Sequence, residues 1–198
     1  MLILASQSQA RKALLAGTGL RFETSPAQID ERRLEAEVLG KGGDAAEVAR
    51  RLAEAKALTV AQNRPGDVVI GADQVLASEG ELFHKPGTIA EAADQLDRLR
   101  GRTHALHSGL ALARGEAILW SGTVTARLTM RAFERTERDA VLALEGKDVL
   151  GSVGGYRLEG PAIRLFEAIE GDYFTILGLP LLPLLAALRL HAPDVFEK

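Results

Sequence analysis

The run Val68-Val69-Ile70-Gly71-Ala72 constrains this chain more than any other stretch. It is continuously apolar and follows the turn signal Asn63-Arg64-Pro65-Gly66, so it predicts a strand buried on both faces at the centre of a sheet. Asp73 and Gln74 come next and read as residues delivered at the strand's end. A carboxylate there is costly unless it is paired, hydrogen-bonded or on a metal, and strand ends are where α/β proteins place ligands.

In the stretch Leu2 to Leu15 an apolar strand runs through Ser6 and Ser8 into a helix. Arg11 and Lys12 then fall in the first helical turn, where the macrodipole disfavours positive charge, and an anion at the helix start would relieve the mismatch. Free backbone N–H groups, the Ser6 and Ser8 hydroxyls and a guanidinium form a phosphate cradle. The alternative is an ordinary β–loop–α unit with a serine N-cap and two solvated cations.

The remaining chain intermixes strands and helices. Leu20 to Thr24 alternates as a half-buried strand, and residues 27–43, charge-rich and closed by Gly40-Lys41-Gly42-Gly43, read as a mobile surface loop carrying Asp30 and Glu31. Asp44-Ala45-Ala46-Glu47 has capping-box spacing and opens an alanine-rich helix that includes Lys56. Val75-Leu76-Ala77 and Glu81-Leu82-Phe83 form a hairpin leading to Lys85 in the turn before Pro86. Thr88 to Glu91 is a second capping box, and its helix stops at Gly101. Thr103 to Ala113 and Ala117 to Thr129 alternate as a long antiparallel hairpin. Thr136 is expected to cap a short helix through Leu144. Gly151 to Gly160 is dense in glycine, either so that backbone can approach a ligand or as a flexible connection. Ile163 to Ile169 alternates as a strand, Gly171-Asp172-Tyr173 turns the chain, and Pro180 suits the first turn of the last helix. The pattern is α/β with a mixed sheet, read as one domain over residues 1–198.

The totals exclude several functions. With 24 Lys+Arg against 27 Asp+Glu, a net charge of −3, nothing points to a nucleic-acid polymer as partner. Zero cysteines rule out a disulfide framework, a thiolate zinc site and a cysteine nucleophile. His84, His104, His107 and His191 lack metal-ligand spacing, and there is no Gly-x-Ser-x-Gly elbow. The apolar stretch after Met1 is too short for a signal peptide, and Ile176 to Leu188 falls short of the ~20 residues that span a bilayer, so the expectation is a cytoplasmic protein without a membrane partner.

Leu-Ala-Ser-x-Ser-x-x-Arg at 4–11, Ala-Asp-Gln at 72–74, Lys-Pro at 85–86, Gly-Arg-Thr-His at 101–104, Gly-Gly-Tyr-x-x-Glu-Gly at 154–160 and Gly-Asp-Tyr…Gly-Leu-Pro-Leu at 171–181 occur in order along the chain. Together they closely resemble the Maf family of nucleoside triphosphate pyrophosphatases. The resemblance implies a twisted mixed sheet flanked by helices, with two lobes about a central cleft, similar to inosine triphosphate pyrophosphatase. It further implies a homodimer and cleavage of a nucleoside triphosphate to monophosphate and pyrophosphate with a divalent metal, Mg2+ or Mn2+. Carried over position by position, it makes Asp73 the proton acceptor and Ser6, Arg11, Lys56 and Lys85 phosphate-binding residues. Ser8 and Lys12 complete the phosphate-binding wall read from the first helix. Glu31 becomes a further active-site acid, and hydrolysis at an α–β anhydride calls for carboxylates such as Asp73 and Glu31 on a hard cation, directly or through water.

Family positions associated with base choice fall on Ala10, Gln74 and Glu159. Gln74 and Glu159 resemble the branch that hydrolyses 7-methyl-GTP, while Ala10 stands where that branch carries an aromatic residue. A carboxylate at Glu159 can accept from guanine N1–H and the 2-amino group. Two other readings stand beside it: a dTTP/UTP pyrophosphatase of the same family, and a nucleotide-binding regulator of septum formation without turnover.

Overall fold

The computed structural model describes residues 1–197. In chain order the elements are β1 (Leu2–Leu4), α1 (Gln9–Ala16), β2 (Phe22–Thr24), α2 (Glu31–Gly40), α3 (Ala45–Asn63), β3 (Val68–Ser78), β4 (Glu81–Phe83), α4 (Ile89–Leu99), β5 (Thr103–Arg114), β6 (Ala117–Met130), α5 (Arg135–Glu145), β7 (Phe166–Glu170), α6 (Tyr173–Ile176) and α7 (Leu181–His191). Short 3-10 turns lie between α5 and β7 and after α7. The sheet has seven strands in the order β2-β1-β3-β5-β6-β7, with β4 paired to β3. β1 runs parallel to β2 and β3, with Leu2 opposite Phe22 and Val68, whereas β3–β4 and β6–β7 are antiparallel. The sheet is therefore mixed, as the sequence predicts. No helix among the described residues is long and apolar enough to cross a membrane.

By internal contacts the chain divides into two compact units, one of residues 1–74, 107–124 and 172–198 and the other of residues 75–106 and 125–171. In the first unit the period-2 alternation of strands sends successive side chains to opposite faces. Leu2, Leu4, Val68, Ile70, Leu110 and Leu112 pack with Leu15 of α1 and Leu184 and Leu188 of α7. Ile3, Val69, Ala111 and Ala113 pack with Ala53, Ala57 and Val60 of α3. Helices cover both faces, which is why the run 68–72 has no polar side.

Gly71 and Gly109 set how closely α3 approaches. A Cβ at 71 would lie 2.0 Å from the Ala53 carbonyl oxygen, and one at 109 would lie 2.1 Å from that of Ala49. Small residues on both partners let helix and sheet backbones nearly touch. Lys56 thereby reaches the level of Asp73.

In the second unit α4 and α5 carry the buried Leu96, Leu99, Val141 and Leu142. His104, Tyr156 and Phe166 stack as an aromatic trio with centroids 5.0 to 6.2 Å apart. In the glycine-dense segment the central pair is packed rather than slack. Gly154 and Gly155 are buried at positive φ, and a Cβ at 155 would lie 2.7 Å from the Ala92 carbonyl oxygen of α4, so glycine there serves packing.

Other local expectations change too. Residues 31–40 are a helix rather than a loop: Asp30 Oδ1 accepts from Arg33 N at 3.0 Å, and Leu34 and Val38 recur at i, i+4 with Val38 buried. The strand read as ending at Ala72 continues to Ser78, its far end held by β4 through Leu76 and Phe83, so Asp73 and Gln74 lie in mid-strand. Thr136 does not cap α5. Glu134 holds the N-cap position without a side-chain bond. Residues 161–165 form a 3-10 turn started by Pro161, and the strand begins only at Phe166. Pro180 is the N-cap of α7 rather than part of its first turn. Asp44 and Thr88 cap as expected, accepting from Glu47 N at 2.8 Å and Glu91 N at 3.1 Å.

Candidate functional site

The site starts at the β1–α1 turn. Ser8 is the N-cap, its Oγ accepting from Arg11 N at 3.3 Å, while Ser6 Oγ accepts from Ser8 N at 3.2 Å. Both hydroxyls act as acceptors in these bonds, so each keeps its own O–H to donate. Arg11 reaches from the first turn of α1 to main-chain carbonyls of β3 and of the turn after α6. Its Nε donates to Gly178 O at 2.9 Å, and its Nη1 to Ala72 O at 2.9 Å and Ser6 Oγ at 3.4 Å. No acidic residue sits in that turn, and carbonyl dipoles supply part of the compensation that the sequence argument required. Burial pulls the Arg11 guanidinium below its ordinary pKa, opposed by the nearby charges of Asp73 and Glu31. The Nη2 hydrogens enter none of these bonds, which leaves two donors of a fixed guanidinium to meet an anion.

Lys56 is the hub on the other side. Its ammonium lies 2.7 Å from Glu31 Oε1 and is hydrogen-bonded to Asp73 Oδ1. The Lys56 and Asp73 side chains are only 12% and 10% exposed, while Glu31 is 54% exposed. Two cations and two carboxylates thus form a cluster without net charge. A tetraanionic triphosphate arriving here would still need positive charge from another source.

Gln74, next along β3, points its amide nitrogen at Ser108 Oγ (3.0 Å), Thr175 O (3.0 Å) and Ile176 O (2.9 Å). Ala10 is half-buried in the first turn of α1, and Lys12 is exposed and enters none of these bonds. Lys85 and Glu159 belong to the second unit. Lys85 is exposed in the turn ahead of buried Pro86, where the preceding carbonyl, His84 O, accepts from Gln95 Nε2 at 2.8 Å. Glu159 is exposed, and its charge adds slightly to the rise in the Arg157 pKa that the Glu145 hydrogen bond chiefly causes.

Among the described residues no three His, Asp or Glu side chains converge as a metal cage. Two carboxylates do converge, and on a cation, the Lys56 ammonium. Mg2+ and Mn2+ are commonly held by one or two carboxylates together with substrate phosphates and water, so Asp73 and Glu31 fit such an ion.

The structure joins Ser6, Ser8, Arg11, Glu31, Lys56, Asp73 and Gln74 in the first unit. Sequence reasoning missed the main-chain groups that hold them, Ala72 O, Thr175 O, Ile176 O and Gly178 O, and missed Ser108. The Gly-Asp-Tyr and Gly-Leu-Pro phrases flanking residues 172–178 were the available signal, without indicating what the segment holds.

Fold and site define a mixed-sheet α/β protein with a buried cation–carboxylate cluster beside a helix start. The family model for Maf-like proteins matches residues 1–191, and this chain belongs to that family. It is similar to a 7-methyl-GTP pyrophosphatase of Brucella abortus biovar 1 (strain 9-941), with 48% identity over 188 residues, covering 95% of this chain and 94% of the relative. A nucleoside triphosphate pyrophosphatase of Nitrobacter winogradskyi is 50% identical over 189 residues, covering 95% of this chain and 92% of the relative. Among solved structures, a HAM1 protein from Coxiella burnetii covers 67% of this chain and 73% of its own at 16% identity and a TM-score of 0.39.

Proposed function

We propose that this protein is a nucleoside triphosphate pyrophosphatase that hydrolyses the α–β phosphoanhydride of a nucleotide, with 7-methyl-GTP preferred. The observation that carries the reading is the Lys56 ammonium shared by Asp73 and Glu31 beside an Arg11 pinned to main-chain carbonyls. Relatives about half identical over nearly their whole length, named for this activity, support it.

In this mechanism the Nη2 edge of Arg11 and the Ser6 and Ser8 hydroxyls bind phosphate oxygens. Lys56 fixes the Asp73 carboxylate through one oxygen, and Asp73 takes a proton from the attacking water. The water oxygen bonds to the α-phosphorus as that atom's bond to the α–β bridging oxygen breaks, and pyrophosphate leaves with its charge met by Arg11 and Lys56. Glu31 holds Lys56 from the solvent side. A divalent cation on Asp73 and Glu31 would supply the positive charge that the neutral cluster lacks.

For the base, the Gln74 amide oxygen favours a guanine edge with its N–H donors. The test is pyrophosphate release from 7-methyl-GTP, GTP, dTTP and UTP with Mg2+. Release greatest from 7-methyl-GTP is expected. Preference for dTTP and UTP would move the protein to the other branch, and binding without release would make it a regulator. We also read the protein as a cytoplasmic homodimer, which sedimentation of the purified chain would check for its dimeric part.

A further inference from the structure

The segment 172–178 has no role in the reaction as written, yet it holds two groups of the site. Asp172 caps α6, its carboxylate accepting from Thr175 N at 3.0 Å and from the Thr175 hydroxyl. At the other end of this one-turn helix, Gly178 O receives Arg11 Nε, and Thr175 O and Ile176 O receive Gln74 Nε2. Ser108 is fully buried on β5 and closes the arrangement: its hydroxyl donates to Thr175 O at 2.8 Å, so what it offers Gln74 at 3.0 Å is a lone pair.

This network settles which way the Gln74 amide faces. Main-chain carbonyls have no proton to give, and the Ser108 proton is already directed to Thr175 O. All three neighbours of the Gln74 amide are therefore acceptors. Turning Oε1 toward them would set an oxygen against three oxygens, so nitrogen faces inward and Oε1 faces away.

We infer that Ser108, with the Thr175 and Ile176 carbonyls, locks the Gln74 amide with its acceptor outward, making Ser108 a positioning residue for base choice. The inference rests on the proposed reading that Gln74 meets the base. A locked acceptor rewards a base edge bearing N–H, as guanine does at N1 and its 2-amino group, and penalises adenine, whose N1 is an acceptor. A free amide could rotate and satisfy either.

The experiment compares kcat/KM for GTP, 7-methyl-GTP and ATP in the wild type, Ser108→Ala and Gln74→Ala. Thr175 O keeps a donor from Gly178 N at 3.0 Å, so Ser108→Ala leaves the turn supported. The guanine-to-adenine ratio is expected to fall in Ser108→Ala by at most about tenfold, the worth of one neutral hydrogen bond, since the Thr175 and Ile176 carbonyls still receive the amide nitrogen. The change should come through faster ATP turnover, with GTP retained. Ser108→Cys, which keeps the volume and a weak hydrogen-bonding group, should lie between. An unchanged ratio, or equal loss for all substrates as a merely structural serine would give, overturns the lock. If Gln74→Ala alters the ratio and neither Ser108 variant does, the lock fails while base reading by Gln74 survives. If Gln74→Ala leaves the ratio unchanged, both fail. Should no triphosphate be turned over, the same ratios are read from calorimetric affinities. Absence of binding there overturns the lock and the enzyme reading together.

Discussion

Each unit of the protein buries a carboxylate against a cation, and the two are built differently. Glu145 in the second unit is saturated. Its Oε2 accepts from Arg157 Nε at 2.8 Å, its Oε1 from Ala162 N at 3.1 Å, and its side chain has no exposure. A Cβ at residue 160 would lie 2.4 Å from Oε1, so the loop is moulded around the group. Asp73 in the first unit has the shared Lys56 ammonium as its partner and keeps a tenth of its side chain open. Two directed donors in a closed pocket describe a latch, because nothing is left for a ligand to meet. A carboxylate held through one oxygen by a shared lysine can still take up a proton or a cation.

Exchanging the two groups' chemistry should break this contrast in opposite directions. The largest effect is expected for Asp73→Asn. Turnover should fall roughly 10²- to 10⁴-fold, the usual contribution of a general base, with little change in melting temperature because Lys56 keeps Glu31 as partner. Pyrophosphate release and calorimetry read the two halves, and an active Asp73→Asn enzyme would remove Asp73 from the role.

Glu145→Ala should do the reverse. It leaves the buried Ala162 N–H without its acceptor and takes from Arg157 its buried partner, Asp148 remaining at 3.3 Å, a loss of about 1–3 kcal/mol readable by urea denaturation. A stable Glu145→Ala protein would end the latch reading.

The aromatic trio sharpens the description of the second unit as the one that buries groups out of reach. His104 is 2% exposed, and burial lowers its pKa from 6.5 to about 4. Its Nε2 meets Tyr156 Oη at 2.6 Å, and burial likewise raises the Tyr156 pKa. The unfolded chain binds a proton at pH 6.5 that the folded chain refuses until about pH 4. His104 thus contributes nothing against folding above pH 6.5, and its cost grows as pH falls through that window to about 3 kcal/mol. Denaturant titrations of the wild type and His104→Phe at pH 7 and pH 4 should differ by that much in their pH dependence.

The smallest effect is expected for Asp172→Ala, which removes the cap of α6 and should cost about 1 kcal/mol. Because α6 carries the carbonyls that hold Gln74, its base discrimination should fall alongside stability. The Glu145 variant lacks that second readout.

Much of this was legible along the chain. Ser8, Asp44 and Thr88 announced their helices, since a cap is a bond between residues three apart. Val68 to Ala72 announced the central strand through its unbroken apolarity. Asp73 reads as a strand end because two polar residues look like a stop, whereas the strand runs on through them to pair with β4 at residues 76–78. Helix α2 was hidden by charge and terminal glycines, its signal being only the pair Leu34 and Val38. Glu145 gave no signal at all: its partners lie 12 and 17 residues downstream in a stretch that read as loop.

The sequence by itself determined the caps, the buried strand, the identity of the groups able to carry charge or protons, and the family phrases in their order. The tertiary structure alone decided that Lys56 meets Asp73 across 17 residues and that Arg11 meets Gly178 across 167. Caps and periodicity are settled by atoms within a turn or two of chain, which sequence lists directly. Pairing of buried charges depends on sheet register and on how closely a helix can lie on a strand. Two glycines, Gly71 and Gly109, set that approach from positions far from the lysine they deliver.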